Sequence, residues 1–296
     1  MKTFMIIVIC ITRLTASAQT FTEKITKEFS FEKKGMENTL LVANLNGSVK
    51  VTGYDGDKIL VEVTRTIKAK TPERLEKGKE EINLGVMDRA DTILLYTAGL
   101  CSPFGRTSKK SGDWSRRNGW GYQWRDQQND DCQDRCDYSF DYVIKIPKAV
   151  NLIVSTVNEG DVEVENLNGG ITANNVNGSI KLSNISREAT ASTINGDVDI
   201  TYTRNPEKAC RFYTLNGDIN AWFQKGLSAN MSFESFNGEL FTNVPRLETL
   251  PVVVEKKETE KGTKFKVNGH RFKVGNGGVV LDFETFNGDV YIKEKI

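Results

Sequence analysis

The sequence lacks the residue patterns by which most enzymes and nucleic-acid-binding proteins are recognised. It has a single histidine, His270, and contains no Gly-x-Ser-x-Gly, His-Glu-x-x-His or phosphate-cradling motif. Its 40 basic and 39 acidic residues nearly cancel, so no net field attracts nucleic acid. We therefore predict a protein that is not an enzyme, has no cofactor and has no nucleic-acid partner.

Long apolar runs are also missing, apart from one at the start of the chain. Residues 1–18 have the pattern of an export signal: Lys2, an apolar stretch from Phe4 to Ile11, and a small-residue cleavage site ending at Ala18. That stretch is too short to span a bilayer. We expect residues 19–296 to form one exported domain without a transmembrane segment, located in the periplasm, on the cell surface or outside the cell.

Cysteine is scarce, and the count is even once the signal is removed. The remaining residues are Cys101, Cys132, Cys136 and Cys210. An even number in an exported chain predicts two disulfides, with three possible connectivities. If the strand-like runs 92–96 and 142–146 pair, a disulfide between Cys101 and Cys136 would close the base of the segment that connects these runs. Cys132 and Cys210 are then the second pair.

A short phrase (apolar, Asn, Gly, small or acidic, apolar) recurs along the chain. The asparagine–glycine pairs are at 46–47, 177–178, 195–196, 216–217, 237–238 and 287–288, with a lengthened copy at 158–160. Steps between successive glycines are 18 (160 to 178), 18 (178 to 196), 21 (196 to 217) and 21 (217 to 238) residues. A short, regular period of this kind indicates one structural unit stacked on itself.

The residues two and four positions after each glycine are almost all apolar, which indicates strands with one buried face. Asn-Gly often forms a tight hairpin, but a hairpin would pair Ile194 with Asp197, and Leu215 with Asp218, on one face. A solenoid avoids this conflict, because the chain bends at Asn-Gly and continues to the next side of the coil. We predict an all-β solenoid in which Val162, Ile180, Val198 and Ile219 form one buried row with parallel neighbours.

Three segments interrupt the coil. Thr71 and Pro72 predict the N-cap and first residue of a short helix over 71–82, which would cover the sheet stack. Residues 99–140 form a Cys- and Trp-rich insertion, and residues 244–280 indicate a hairpin excursion before the final turn. The charges at the end of the last strand, residues 293–295, are expected to protect an exposed end of the stack.

Together, the export signal and the Asn-Gly-Asp-Val strand repeats make the chain resemble the adhesin-like β-strand-repeat proteins of Bacteroidetes. These are described as putative adhesins related to the putative auto-transporter adhesin head of the GIN type. The resemblance covers residues 40–64 and 141–296, and the insertion departs from it. It implies a single-stranded right-handed parallel β-helix in the cell envelope that acts as a binding or structural scaffold. Sequence does not separate this function from a periplasmic accessory of envelope-stress signalling.

The carboxylates one residue after glycine support an alternative, a polysaccharide lyase or hydrolase on the same scaffold. Asp197, Asp218 and Glu239 would lie on consecutive turns, roughly 4.8 Å apart, a spacing that glycoside hydrolysis or a divalent cation could use. The opposing interpretation is that they are ordinary polar residues beside a bend. A second acidic cluster, from Asp126 to Asp137, is either a cation site or a solvated loop.

The insertion is the predicted recognition site, because loops held on rigid frames often carry binding residues. Its candidates are Trp114, Arg116, Arg117, Trp120, Tyr122, Trp124 and Arg125. Exposed aromatic and arginine side chains suit a glycan or an envelope or surface protein. The alternative is that these rings pack inward as a small core.

Overall fold

The computed structural model describes residues 19–33, 35, 38–99, 136–251, 254–259, 262–267 and 270–295. The predicted export signal and nearly all of the Cys/Trp-rich insertion lie outside these residues. The strands are β1 (Gln19–Phe29), β2 (Thr39–Ala43), β3 (Val49–Tyr54), β4 (Ile59–Ala69), β5 (Asn83–Asp88), β6 (Thr92–Ala98), β7 (Asp137–Pro147), β8 (Asn151–Ser155), β9 (Val162–Glu165), β10 (Ile171–Asn174), β11 (Ile180–Ile185), β12 (Ala189–Asn195), β13 (Val198–Tyr202), β14 (Cys210–Asn216), β15 (Ile219–Phe223), β16 (Ala229–Asn237), β17 (Leu240–Thr242), β18 (Leu247–Leu250), β19 (Val254–Thr259), β20 (Gly262–Val267), β21 (His270–Val274), β22 (Val279–Asn287) and β23 (Val290–Glu294).

Each repeat supplies one strand to each of two long sheets that face each other across the core. In the described part of the chain, sheet A has ten strands, in the order β1-β4-β7-β3-β9-β11-β13-β15-β23-β17. Sheet B has eleven, in the order β18-β21-β16-β22-β14-β12-β10-β8-β2-β6-β5. A rung is therefore one sheet B strand, an Asn-Gly corner and one sheet A strand. This confirms the prediction of an all-β solenoid whose chain bends at Asn-Gly and continues on the next side of the coil.

The predicted buried row is present. Val162 pairs in parallel with Ile180, Ile180 with Val198, and Val198 with Ile219, and all four side chains are buried. The neighbouring outward positions carry Glu163, Lys181 and Asp199 in register, so the charged column lies on the solvent side. The strands form because alternate apolar residues can be buried between the two sheets.

The order of rungs in the stack differs from their order along the chain. The C-terminal rung, β22 with β23, lies between the rung β14–β15 and the rung β16–β17. The expectation that residues 293–295 protect an exposed end is therefore wrong, because β23 has a neighbour on both sides. The excursion makes this order possible, because it leads the chain from β21, on one side of β16, to β22 on the other side.

The two ends of the stack differ. At the N-terminal end, helix α1 (Pro72–Glu81) begins after its N-cap Thr71, as predicted, and buries Leu75 against Ile67 and Ala69 of β4. At the C-terminal end, β18 and β21 form an antiparallel hairpin that extends sheet B beyond β16, and β19 pairs with β20 in its outer part. No helix in the described part of the chain is both long and apolar enough to cross a membrane.

The strands on either side of the insertion do not pair with each other. β6 pairs with β2 and β5 in sheet B, whereas β7 pairs with β3 and β4 in sheet A. The prediction that the runs 92–96 and 142–146 pair with each other is therefore wrong. These strands are the two halves of one rung, and the insertion takes the place of its Asn-Gly corner.

The predicted disulfides are not shown, because Cys136 and Cys210 are both buried free thiols. Cys101 and Cys132 lie outside the described residues. The Cys136 Sγ is 3.1 Å from the carbonyl oxygen of Arg74, and the Cys210 Sγ is 3.2 Å from the Tyr202 hydroxyl. Burial raises the pKa of the Cys210 thiol and outweighs the hydrogen bond with Tyr202, which lowers it.

We expect Cys210 to resist thiol-specific alkylation in the folded protein. Burial removes steric access, and the raised pKa keeps the group in its unreactive thiol form. The measurement is iodoacetamide labelling followed by peptide mass mapping, with and without denaturant. Labelling of Cys210 at equal rates in both conditions would contradict this burial. A Cys210 that stays unlabelled in denaturant until a reductant is added would show a disulfide instead.

Candidate binding surface

The Asn-Gly corners stack into a continuous ladder of side-chain amides. Each Nδ2 donates to the Oδ1 of the asparagine on the preceding rung, over distances of 2.8 to 3.1 Å. In stack order the members are Asn46, Asn158, Asn177, Asn195, Asn216, Asn287 and Asn237. Such ladders fix the register of stacked strands, because each amide needs its neighbour directly above or below.

The residues after glycine form a second ladder, in which a side-chain oxygen accepts from the backbone N–H of the next rung. Asp197 Oδ1 accepts from the Asp218 N–H at 2.9 Å, and Asp218 Oδ1 accepts from the Asp289 N–H at 2.8 Å. Asp289 Oδ1 in turn accepts from the Glu239 N–H at 2.9 Å. Asp218 and Glu239 are thus not on consecutive rungs, because Asp289 separates them. The hydrogen bonds give Asp197, Asp218 and Asp289 a structural role at the corner.

A buried polar column lies two residues before each asparagine, and the sequence analysis missed it. Thr193, Thr214 and Thr285 donate from Oγ1 to the glycine carbonyl of the preceding rung at 2.8, 2.8 and 3.2 Å. Asn44 and Asn175 donate to glycine carbonyls from Nδ2 at 3.0 Å. The signal was available in the sequence, because Thr, Ser or Asn occupies this column in every copy of the phrase.

We expect Asn216→Ala to destabilise the protein about twice as much as Asn237→Ala. Asn216 donates to Asn195 and accepts from Asn287, whereas Asn237 ends the ladder and only donates to Asn287. At these exposed positions the loss is about 1 kcal/mol for Asn216 and about half of that for Asn237. Urea unfolding of the two variants measures the difference. Equal losses would mean that the amides contribute through the corner conformation and not through the ladder.

The apolar residue before each asparagine lies on the outer face of sheet B, and it is most exposed at the C-terminal end of the stack. Leu45 and Val157 are buried against β5 and β6 residues such as Leu94 and Met87. Beyond this cover, Ile194 is 39% exposed, Phe286 45% and Phe236 73%. The Phe236 and Phe286 rings stack on each other with centroids 4.8 Å apart.

Aromatic residues also lie on the other side of the corner, on the outer face of sheet A. Phe241 is 42% exposed and stacks on Tyr291 at 5.0 Å. The Lys293 ammonium lies 4.9 Å from the centre of the Trp222 ring, which is 38% exposed. The Tyr291 hydroxyl donates to Asp289 Oδ2 at 3.2 Å, and partial desolvation and this carboxylate raise the pKa of Tyr291.

These five rings (Phe236, Phe286, Phe241, Tyr291 and Trp222) are called the aromatic surface below. Phe236, Phe286, Phe241 and Tyr291 flank the last two corners in the stack, where Asn287, Asn237, Asp289 and Glu239 supply amide and carboxylate groups. Trp222 lies on the adjacent strand β15. Large exposed aromatic groups held side by side on a rigid sheet are unusual for a surface without a partner. The combination of flat apolar faces and adjacent polar groups suits recognition of another molecule.

The site residues predicted from the sequence are only partly described. Trp114, Arg116, Arg117, Trp120, Tyr122, Trp124 and Arg125 lie outside the described residues, as does the acidic cluster except for Asp137. His270 is exposed on β21. In the parts of the chain that the structure describes, no group of three or more His, Cys, Asp or Glu residues is arranged to hold a metal ion.

Two parallel sheets, corners of asparagine and glycine, and side-chain ladders between rungs define a β-solenoid repeat protein. Residues 148–293, from just before β8 nearly to the end of β23, match the family Toastrack DUF4097. The two rungs before it and the insertion lie outside the matched residues. A comparison with curated proteins finds no match.

Three solved structures are similar to the chain over most of its length. A putative cell adhesion protein from Clostridium sporogenes is 13% identical, covers 93% of this chain and 100% of its own, and has a TM-score of 0.42. A putative adhesin from Bacteroides fragilis is 13% identical, with coverage of 92% and 97% and a TM-score of 0.35. A putative adhesin from Parabacteroides merdae is 9% identical, with coverage of 94% and 97% and a TM-score of 0.26.

Proposed function

We propose that this protein is a non-catalytic, exported scaffold of the cell envelope that binds a partner in the manner of an adhesin. The observation that carries the proposal is the exposure of Phe236, at 73%, with its ring stacked on Phe286 beside the Asn-Gly corner. Burial of such rings against a partner releases about 25 cal/mol for each Å² of apolar area, which makes them effective anchors.

The stacking of the rungs supports a binding role for this surface. Each ring of the aromatic surface belongs to a strand that is paired in parallel on at least one side, so its position is fixed before a partner arrives. Preorganised side chains lose little entropy on binding.

The corner carboxylates support a non-catalytic function over the carbohydrate-active alternative. Asp197, Asp218 and Asp289 are each held by the backbone N–H of the next rung. A general acid or a nucleophile needs a carboxyl group that faces its substrate. Here the hydrogen bonds direct one oxygen of each group along the stack.

The test is binding of the purified protein, residues 19–296, to cell-envelope fractions. Phe236→Ala/Phe241→Ala is expected to weaken binding at least tenfold without changing the melting temperature by more than a few degrees. Val143→Ala is the matched control, because Val143 is 49% exposed on the outer face of β7 and lies several rungs from the aromatic surface. Unchanged binding by the double phenylalanine variant would end the proposal for this surface.

The same assay includes the insertion, which remains a proposed second recognition element. A Trp120→Ala/Trp124→Ala variant that binds weakly at unchanged stability would place recognition there. Reduced stability with unchanged binding would mean that these rings are core residues. Digestion of the envelope fraction with a protease or with glycosidases then distinguishes a protein partner from a glycan.

A further inference from the structure

The C-terminal end of the stack has an incomplete rung. Sheet A ends at β17, while sheet B continues past the matching strand β16 with β21 and then β18. Among the described residues, no sheet A strand lies opposite these two. The region beside the free edge of β17 and opposite β21 and β18 is called the step below. The other end of the stack differs, because α1 packs there against β4.

The backbone at the step is an open parallel edge. The Val290 N–H donates to the Glu239 carbonyl oxygen at 2.9 Å, and β17 pairs with β23 from Leu240 to Thr242. In such a ladder alternate residues face opposite neighbours, so Phe241 faces β23 while Leu240 and Thr242 direct their N–H and C=O groups outward. These outward groups can pair with an added strand.

The side-chain ladders end at the same place. Asn237 donates to Asn287 and leaves its Oδ1 facing the step, where an amide of a further rung would donate. Glu239 holds the same terminal position in the carboxylate ladder. Phe241 stacks on Tyr291 with one face and is 42% exposed. The backbone, both polar ladders and the aromatic stack therefore end at one edge.

The inner wall of the step is apolar. Phe272 is in register with Met231, and Leu247 with Val274, so both side chains share the inward face of sheet B. Leu240, Leu247 and Phe272 pack against the main core but are only partly buried. An added strand with apolar side chains at alternate positions would cover them.

We propose that the step binds an extended segment of a partner polypeptide, which adds to sheet A as a parallel strand beside β17. This deepens the proposed function and rests on it, because the aromatic surface borders the step. The segment has the pattern of a corner and strand, Asn-Gly followed by apolar residues at every second position. Its asparagine amide donates to Asn237 Oδ1, its carbonyl groups accept from Leu240 and Thr242, and its apolar residues face Phe272 and Leu247. Strand addition of this kind obtains affinity from backbone hydrogen bonds and specificity from alternate side chains.

The shape of the step favours a single segment over a second copy of the chain. If a two-fold related copy paired its own β17 with this edge, its strand β16 would enter the space that β21 occupies. Among the described residues, sheet A lacks a strand opposite β21 and another opposite β18, so the step is two strand positions deep. It therefore admits one or two strands but not the end of another complete stack.

The probe is a fluorescent synthetic peptide of residues 286–294, the segment that pairs with β17 on its inner side. We expect it to bind the protein saturably, and Thr242→Pro to weaken binding at least tenfold. Proline at this position removes an outward N–H and leaves the bonds between β17 and β23 intact. Thr242→Val is the matched control: like proline it removes the hydroxyl that accepts from the Val244 N–H, but it keeps the backbone donor. It should bind within twofold of the unchanged protein.

Hydrogen–deuterium exchange locates the bound peptide. The amides of Leu240 and Thr242 should exchange at least tenfold more slowly when the peptide is present, and a scrambled peptide should have no effect. Binding without this protection, equal binding by Thr242→Pro, or no binding at millimolar peptide would each overturn strand addition. A dimer in the absence of peptide that Thr242→Pro dissociates would show that a second copy occupies the step, which also overturns the proposal.

The proposed function can fail or survive separately. Envelope binding that is lost in Phe236→Ala/Phe241→Ala but kept in Thr242→Pro would leave the aromatic surface as the recognition site and reject strand addition. Envelope binding that is kept in the phenylalanine variant but lost in Thr242→Pro would reject the aromatic surface and retain the step.

Discussion

Val198→Asp is expected to unfold the solenoid or to lower its free energy of unfolding by at least ~4 kcal/mol. Val198 is completely buried between Ile180 and Ile219 in the central row of sheet A. A carboxylate there would have no hydrogen-bonding partner in an apolar row, and the protein would have to open or protonate it. Urea unfolding followed by circular dichroism measures the loss.

A pH series separates the buried charge from simple mispacking. Burial would raise the pKa of the new carboxyl group above its unfolded value, so the destabilisation is full at neutral pH and declines as the pH falls through the raised pKa. Thr201→Asp is the control, because Thr201 is an outward residue of the same strand and should lose no more than about 1 kcal/mol. A Val198→Asp protein as stable as this control would refute the two-sheet core.

Gly217→Ala is expected to cost at least ~3 kcal/mol, although it adds one methyl group at the surface. A Cβ at this position would lie 2.2 Å from the carbonyl oxygen of Gly196 and 2.6 Å from its carbonyl carbon. Both are backbone atoms of the adjacent rung and cannot move independently. The backbone φ of +151° is a further obstacle to any side chain.

Gly226→Ala isolates the effect of close approach from that of the backbone angle. Gly226 has a φ of +83°, but a Cβ there would meet no heavy atom within 4 Å. It should therefore show only the conformational cost, about 1–2 kcal/mol. If thermal unfolding gives both variants the same melting temperature, the glycines of the corner are required for their φ and not for the contact between rungs.

The arrangement within a rung could be predicted from the sequence, because it depends on local alternation. Val198 and Ile200 fall two and four residues after Gly196, and this spacing predicted the buried face of β13. The conflict between Ile194 and Asp197 in a hairpin correctly favoured a parallel coil. The helix at Pro72 was also predictable, since Thr71 is a good N-cap residue and its Oγ1 accepts from the Arg74 N–H.

The order of the rungs could not be predicted in the same way. Every copy of the repeat has the same corner and the same alternation, so nothing local distinguishes β23 from β17 as the neighbour of β15. The excursion hides the answer, because it separates β16 from β22 by more than 40 residues along the chain. The aromatic residues give a weak signal: both Phe236 and Phe286 precede an asparagine, and the structure stacks them.

The aromatic surface was missed for a different reason. The tryptophans concentrated in the insertion favoured that segment as the recognition site, whereas the apolar residue before each asparagine fits the repeat pattern and gives no separate signal. Strict alternation along the strand places Ile194 on the outer face, because it follows the inward Thr193. In the same way it places Phe236, which follows Ser235, on the outer face. Exposure itself depends on the neighbouring side chains of that face, and Leu94 of β6 and Met87 of β5 pack with Leu45 and Val157 only near the N-terminal end of the stack.

The position of the C-terminal rung also separates the order of synthesis from the order of assembly. Residues 279–294 are synthesised after every other rung of the stack, yet they separate the rung β14–β15 from the rung β16–β17. Until they arrive, β16 and β17 have no native parallel neighbour on that side. A growing chain can complete its N-terminal rungs early, but the rung β16–β17 must wait for β22 and β23, which follow it in the chain. A stop codon anywhere before β22 would therefore remove the rung that joins the two parts of the stack, not merely shorten its end.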